Sequence, residues 1–320
     1  MLRSKAFDIP IICVGNLSTG GTGKSPHVLY LANWLSDEFT IGIISRGYGR
    51  KTNGYLEVRP ESSTLEVGDE PLELKRNLPD IPIIVSEDRV LGIERMRKEY
   101  PSIDLVIMDD GFQHRAIEPG FSIILTTFAS PFCTDHLLPA GDLREARSAA
   151  IRADLILLTK IPDEAVEWTD VAKKISAYTK APVLGTSITY TGLKPVFSGA
   201  SVDLDRIENC ILITGVADAS PIVGFLKKRM RILDHIEWPD HHTPSLKDLK
   251  DARRKIDNFA ELYPIVITTE KDATRLISSS HKNVIQELPV HYLKMTIRPL
   301  NETELKRIIL EHVRKDKSNS

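Results

Sequence analysis

Ile9-Pro10-Ile11-Ile12-Cys13-Val14 runs into Gly15-Asn16-Leu17-Ser18-Thr19-Gly20-Gly21-Thr22-Gly23, and Lys24-Ser25-Pro26 follows directly. The first block is apolar throughout, as a strand covered on both faces of a parallel sheet must be. The glycines of the second let backbone N–H groups come close to an anion, because no Cβ stands in the way. Val28, Leu31, Ala32 and Leu35 then recur at helical spacing. Strand, glycine-rich turn and helix in this order form a phosphate-binding loop. Lys24 is placed for the terminal phosphates of a nucleoside triphosphate and the Ser25 hydroxyl for Mg²⁺. The pattern departs from its strict form once, with Ser18 where a glycine is expected.

Around this loop the chain alternates strand and helix patterns. Apolar runs fall at Ile41–Ile44, Ile83–Val85, Leu105–Met108, Ser122–Leu125 and Leu155–Leu158, with helical patterns at Asp88–Tyr100 and Asp163–Tyr178. Such alternation predicts βαβ units and a mostly parallel sheet. A break follows, with Thr186–Tyr190 reading as an exposed strand. A second α/β stretch then holds strands at Ile211–Ile213 and Ile265–Ile267 and a helix over Ser245–Leu262. Val290–Met295 alternates like a returning strand and Asn301–Val313 like a closing helix. The expected organisation is therefore a P-loop nucleotide-binding domain over 1–184, a β-strand linker over 185–205, a smaller α/β domain over 206–288, and a return strand with C-terminal helix over 289–320.

The composition, 42% hydrophobic and 27% charged with a formal net charge of -2, is that of an ordinary globular protein without bulk attraction to nucleic acid. Cys13, Cys133 and Cys210 lack metal-ligand spacing and read as buried thiols of a reducing compartment. No apolar run approaches the roughly eighteen residues of a membrane span. No signal peptide precedes the first strand, and the abrupt start suggests a missing N-terminal segment.

Four further clusters bear on chemistry. Asp109-Asp110 closes the strand Leu105–Met108, where P-loop folds hold Mg²⁺, and Gly111-Phe112-Gln113-His114 follows. Asp69 and Glu70 open a helix, either as an N-terminal cap or as a carboxylate base towards a hydroxyl. Trp238-Pro239-Asp240-His241-His242 lacks a second ligand cluster for zinc and suits proton handling or a plain hydrogen-bonded loop. Arg46, Arg50, Arg89 and Arg144 fall at strand-end loops, where guanidinium groups meet anionic substrates. Leu158-Thr159-Lys160 and Thr269-Glu270-Lys271-Asp272 are open between nucleotide-base loops and helix caps. The basic run Lys227–Arg231 is open between a lipid-facing patch and a solvated helix end.

Taken together, the phosphate loop, Ser45-Arg46-Gly47-Tyr48-Gly49, Gly68-Asp69-Glu70-Pro71, Asp109–His114, Leu138-Pro139-Ala140-Gly141 with Leu143-Arg144-Glu145, Asp240-His241-His242 and Thr269–Asp272 resemble the tetraacyldisaccharide 4'-kinase family of lipid A biosynthesis. The resemblance implies ATP and Mg²⁺ as cofactors and lipid A disaccharide 1-phosphate as acceptor. It also implies two lobes joined by a two-stranded linker around a cleft, at the cytoplasmic face of the inner membrane. It assigns catalysis to Asp69, His241, Lys24 and Arg144. Nucleotide binding falls to Ser18, Thr19, Gly20, Gly21, Thr22, Gly23, Lys24 and Ser25. The metal side falls to Ser25, Asp109, Asp110 and Glu145, and substrate to Glu70, Arg89, Arg46 and His242. A longer N-terminal segment with a membrane-associated helix belongs to the family pattern and is missing here, and Asp142 and Ala146 stand where prolines are common. Two other readings compete with the kinase: a switch or delivery ATPase with a protein partner, against which Thr19 stands in place of a lysine, and an inactive nucleotide-binding scaffold.

Overall fold

The computed structural model describes residues 4–162, 167–240 and 242–318. Two compact units divide the chain, one up to Thr189 and from Thr296 onward, the other Tyr190–Met295. In order, the first unit contains β1 (Ile11–Asn16), α1 (Lys24–Leu35), β2 (Ile41–Ser45), β3 (Leu56–Glu57), α2 (Thr64–Val67), α3 (Asp69–Asn77), β4 (Ile83–Val85), α4 (Arg89–Glu99), β5 (Leu105–Asp109), β6 (Phe121–Thr127), β7 (Leu155–Thr159) and α5 (Trp168–Ile175). β8 (Val183–Pro195) carries the chain into the second unit, which adds β9 (Asn209–Thr214), α6 (Ser220–Lys227), β10 (Arg231–Glu237), α7 (Leu246–Asp257), β11 (Ile265–Thr269) and α8 (Glu270–Ser278). β12 (Val290–Pro299) returns it, and α9 (Glu302–Ser318) closes it. The protein is thus an α/β fold with a mostly parallel sheet in the P-loop unit and a smaller α/β unit, joined by two strands.

In the first unit the strands lie in the order β8-β7-β6-β1-β5-β2-β4-β3, parallel except where β3 meets β4. β1 is central, between β5 and β6, and every one of its residues is buried. The alternation of a strand sorts its side chains onto two cores. Ile12 and Val14 join Val28, Leu31 and Leu35 of α1, Leu72 and Leu74 of α3, and Leu305 and Ile309 of α9. Ile11 and Cys13 join Ile93 and Met96 of α4 and Ile175 of α5 on the other face. Because the strands run parallel, β1, β2, β4, β5 and β7 all end at the same edge, where ligands of open α/β sheets bind.

The second unit orders its strands β10-β9-β11-β12, all parallel. α7 and α8 cover one face through Leu249, Ala252, Ile256, Ala273 and Leu276. α6 covers the other through Ile222 and Leu226. Asp272 and Arg275, both almost wholly buried, pair at 2.8 Å. Asp272 also accepts Gly215 N–H at 2.8 Å, and Arg275 donates to Gly215 O at 2.8 Å. The Thr269–Asp272 motif therefore opens α8, with the Thr269 hydroxyl as its cap, and ties it to the end of β9.

Two segments depart from the sequence expectations. The helix expected over Ser245–Leu262 ends at Asp257 and passes through a 3₁₀ turn to Tyr263, whose φ of 46° no helix continues. The exposed strand expected at Thr186–Tyr190 is part of β8, with Gly185, Thr186 and Ser187 buried. The basic run Lys227–Arg231 ends α6 and begins β10, with Arg229 lying 3.9 Å over the Phe225 ring. Of the helix expected over Asp163–Tyr178, the described part is Trp168–Ile175.

Removing one member of a buried ion pair strands the other charge. Asp272→Ala is expected to cost about 3–5 kcal/mol in denaturant unfolding. Lys255→Ala, at the exposed Lys255–Asp234 pair of 3.6 Å, is expected to stay within about 0.5 kcal/mol of the parent. Equal losses would show that the buried pair does not brace α8.

Candidate active site

The glycine-rich turn folds back onto the end of β1. Gly20 and Gly23 take φ of 93° and 91°, conformations that L side chains resist. A Cβ at Gly20 or Gly21 would meet nothing within 4 Å, so the outer side of the turn is open to a ligand. Inside, the turn is strapped down. Asn16 donates to the Thr22 hydroxyl at 3.0 Å, and Thr159 at the end of β7 donates to Thr22 O at 2.9 Å. Gln113 donates to Asn16 O at 2.7 Å. From the far side, Thr19 N donates to Asp142 O at 2.7 Å and Arg144 N to Leu17 O at 2.7 Å. Residues 137–144 thus form a flap hydrogen-bonded along the phosphate loop, with Ser18 bridged to Leu143.

Gly23 caps α1 with no side-chain partner, and no acidic residue stands in the first turn. The partial positive charge of this helix end is left for an anion. Lys24 and Ser25 open the helix and are 9% and 8% exposed. Lys24 Nζ lies 3.5 Å from Asp110 Oδ1, and Arg144 Nη1 lies 3.4 Å from Asp110 Oδ2. Asp110 takes φ of 47°, an uncommon conformation for a residue other than glycine. One carboxylate thereby holds two cations at the phosphate loop.

Asp109, next along the strand, has no exposed surface. The Ser45 hydroxyl donates to its Oδ2 at 3.1 Å, while Oδ1 of both Asp109 and Asp110 accepts no hydrogen bond from the described residues. Burial pushes the Asp109 carboxyl up to about 7, helped by the negative charges of Glu70 and Asp110 and opposed by Lys24. Arg89, buried at the start of α4, donates to Asp110 O at 2.9 Å and Asp109 O at 3.4 Å. Its burial lowers its own pKa, and Arg46 adds to that effect. The same two arginines and burial hold the His114 imidazole below its ordinary value.

Asp69 and Glu70 occupy the first turn of α3. Gly68 before them has φ of 91°, and a Cβ there would come within 2.8 Å of Tyr48 O. Only glycine lets the Arg46–Arg50 loop lie against this helix start. Arg50 itself is committed, bonding Glu87 at 2.5 Å and Gly54 O at 2.7 Å. Glu145 pairs with Arg152, whose guanidinium stacks 4.2 Å over Phe112.

The structure thus gathers Lys24, Ser25, Asp109, Asp110, Arg144, Arg89, Arg46 and Glu70 around the strand-end edge of the first unit. His242 belongs to the second unit, where its Nε2 meets Asp248 Oδ2 at 2.9 Å in the capping box of α7. The Ser245 hydroxyl and amide, with that imidazole, draw the Asp248 carboxyl down to about 2. His241 lies outside the described residues. Lys160, in the weaker base-loop motif, takes φ of 57° directly after β7. Sequence reasoning quoted Ser45, Asn16 and Thr159 within motifs but gave none a role of its own; each is a polar residue ending an apolar strand at this edge, and that position was the available signal. Cys13 is structural, its thiol pushed up to about 12 by burial.

Mg²⁺ in nucleotide sites is held by one or two carboxylates, a hydroxyl and the phosphates themselves. Asp109 and Asp110 with unsatisfied oxygens beside Ser25 fit that donor set. No group of three or more His, Cys, Asp or Glu suited to a metal occurs among the described residues.

The chain matches the family model for tetraacyldisaccharide-1-P 4'-kinase over residues 1–314. It belongs to that family. A Bacteroides thetaiotaomicron tetraacyldisaccharide 4'-kinase is 36% identical over 338 residues, covering 100% of this chain and 88% of the relative. The Porphyromonas gingivalis enzyme is 36% identical over 321 residues, covering 95% and 87%. A crystal structure of LpxK from Aquifex aeolicus in complex with ATP superposes with a TM-score of 0.73 at 29% identity, covering 98% of this chain and 91% of that one. Membership makes the chain a kinase of lipid A biosynthesis. No helix among the described residues is long and apolar enough to cross a membrane.

A carboxyl whose folded pKa lies above its unfolded value of about 4 stabilises fully below that value, and its contribution is lost as pH rises through the folded one. For Asp109 this window runs from about pH 4 to about 7. Without ligand, Asp109→Asn is expected to raise Tm at pH 8 relative to the parent and to change it less at pH 5. Calorimetric scans of parent and variant at both pH values check this, and a gain over the parent at pH 8 no larger than that at pH 5 would contradict it.

Proposed function

We propose that this chain transfers the γ-phosphate of ATP to the 4'-hydroxyl of a tetraacyldisaccharide 1-phosphate, giving the bis-phosphorylated lipid of lipid A biosynthesis. The observation that carries the reading is the family match along residues 1–314 together with Lys24, Asp109, Asp110 and Arg144 gathered at one phosphate loop. Within Ser18–Ser25, backbone N–H groups other than those of Thr19 and Thr22, which bond Asp142 O and Gly20 O, cradle the phosphates; Lys24 meets the terminal ones, and Ser25, Asp109 and Asp110 would hold Mg²⁺, with Glu145 completing the acidic side. The metal neutralises charge on the β- and γ-oxygens when bound. Arg144, now paired to Asp110, supplies a guanidinium to the transferring group.

Asp69 takes the proton of the 4'-hydroxyl as its oxygen bonds the γ-phosphorus, and the bridging P–O pair stays with ADP. Glu70, Arg46 and Arg89 face the sugar and its phosphate. The transition state of phosphoryl transfer is loose, so positioning and charge carry the rate.

The acceptor bears four acyl chains, and the flap over the phosphate loop supports such a partner. Leu137, Leu138, Pro139 and Ala140 are all exposed there, Leu137 at 49% and Leu138 at 54%. The flap keeps its shape without burying them. Asp135 accepts His136 N at 2.7 Å and Asp142 N at 3.2 Å, and Leu138 N donates to Leu143 O at 3.0 Å. We place the reaction at the cytoplasmic face of the inner membrane, with that apolar edge towards the lipid. Nothing in the reading calls for nucleic acid.

Labelled ATP, Mg²⁺ and detergent-dispersed lipid A disaccharide 1-phosphate should give labelled bis-phosphorylated lipid, and an acceptor blocked at the 4' position should give none. Label released only as inorganic phosphate would point to a switch or delivery ATPase instead. Asp69→Asn is expected to lower kcat about 10²–10⁴-fold with little change in KM for ATP. An unchanged kcat removes Asp69 from the chemistry. Leu137→Ser with Leu138→Ser should raise KM for the tetraacyl acceptor and leave KM for ATP alone; a rise in the latter would make the flap a nucleotide element only.

A further inference from the structure

α1 carries a buried histidine that the reaction as described does not use. His27 is 2% exposed, its Nδ1 lies 2.7 Å from Gly23 O, and its Nε2 lies 3.0 Å from the Thr186 hydroxyl. A carbonyl oxygen only accepts, so Nδ1 must bear the proton. With one proton on the ring, Nε2 accepts and the Thr186 hydroxyl donates. Thr186 is itself 1% exposed on β8. The donors and acceptors therefore run one way, from Thr186 through His27 to the last glycine of the phosphate loop.

Gly23 is the residue where orientation matters most. Its φ of 91° belongs to the left-handed region, and its carbonyl also accepts His27 N–H at 3.2 Å, the first turn of α1. The Gly23–Lys24 peptide is planar and trans, so its N–H points opposite to its C=O. Holding the carbonyl from inside fixes Lys24 N–H outward, along the helix end where a phosphate is received. A glycine in a nine-residue turn has the freedom to rotate that peptide, and a second bond to the carbonyl removes it.

We propose that His27 is a positioning residue for nucleotide binding: its Nδ1–H, oriented by Thr186, locks the Gly23–Lys24 peptide with its N–H aimed at the phosphates. The inference rests on the phosphate loop binding a nucleotide, and not on the identity of the acceptor.

The test separates the two ring nitrogens. In His27→Asn the amide nitrogen stands where Nδ1 stood; in His27→Gln it stands near Nε2. Titration calorimetry with ADP and Mg²⁺ is expected to show His27→Gln weaker by about fivefold to tenfold, the weight of one net hydrogen bond. His27→Asn should recover most of that loss. In the lipid assay His27→Gln should raise KM for ATP with a smaller effect on kcat. ADP affinities equal to the parent in both variants, or lowered alike in both, would overturn the proposal, since a packing role makes no distinction between the nitrogens. Nitrogen-15 spectra of histidine-labelled parent protein provide a check that needs no variant: His27 should show the Nδ1–H tautomer at pH 7. An Nε2–H tautomer would overturn the assignment. ADP binding is read without acceptor, so failure of lipid phosphorylation leaves this result standing, and the reverse also holds.

Discussion

Asp109 sits at the end of β5 with no contact with water and, among the described residues, only the Ser45 hydroxyl donating to its side chain. An isolated buried carboxylate is costly, and such a group takes up a proton or finds cations. Much of the first unit's polar architecture reflects both responses. Lys24 offsets the local negative charge, Asp110 beside it draws Lys24 and Arg144 together, and Arg89 fastens the backbone of both aspartates. The cluster is poised because its charges are unbalanced without a ligand. A nucleotide arriving with a divalent cation brings the positive charge that Asp109 lacks and the negative charge that Lys24, Arg144 and the α1 terminus lack.

The scaffold that holds this cluster was largely legible, because strands buried on both faces have nothing but apolar side chains to show. Ile11–Val14, Ile41–Ile44 and Leu105–Met108 announce themselves, and the motifs follow from where such strands must end. β10 escaped notice for the opposite reason. It is the outer strand of the second unit's order, and Arg231, Asp234, His235 and Glu237 break its apolar pattern, with a register shift between Ile232 and Asp234. Charges and irregularities of this kind protect an edge from further pairing, and they also erase the signature of a strand. Ser245–Leu262 failed at its C-terminal end, since nothing in Asn258-Phe259-Ala260 forbids helix locally and Tyr263 turns the chain by a backbone angle that its side chain does not advertise.

At the site, residues that a motif places at the phosphate loop were readable and those tied to it through other residues were not. Lys24, Ser25, Asp109 and Asp110 stand at fixed offsets from glycines and strand ends. Ser45 reaches Asp109 across 64 positions of chain, Thr159 reaches Thr22 across 137, and His27 reaches Thr186 across 159. Those pairings exist only after β2, β7 and β8 have taken their places in the sheet built around β1 and its neighbours β5 and β6, and no spacing rule encodes them. His27 illustrates the point most sharply: on a helix that buries Val28, Leu31 and Leu35, it reads as one more inward-facing position.

The flap over residues 137–144 shows how the same backbone bonds serve two ends. Thr19 N–H to Asp142 O and Arg144 N–H to Leu17 O are the edge contacts of a short pairing, and they register Arg144 against Asp110 while leaving Leu137–Ala140 outside. Gly141 permits this geometry because a Cβ there would fall 2.3 Å from Asp135 Oδ1 and 2.5 Å from His136 O. Two leucines kept in water by a loop whose polar atoms are otherwise satisfied gain nothing from the fold itself; burying each against an apolar partner would release about 1.5–3 kcal/mol. For an acceptor that carries its reactive hydroxyl on a sugar and its bulk in acyl chains, a phosphate loop edged with apolar side chains supplies both kinds of contact from one rigid element.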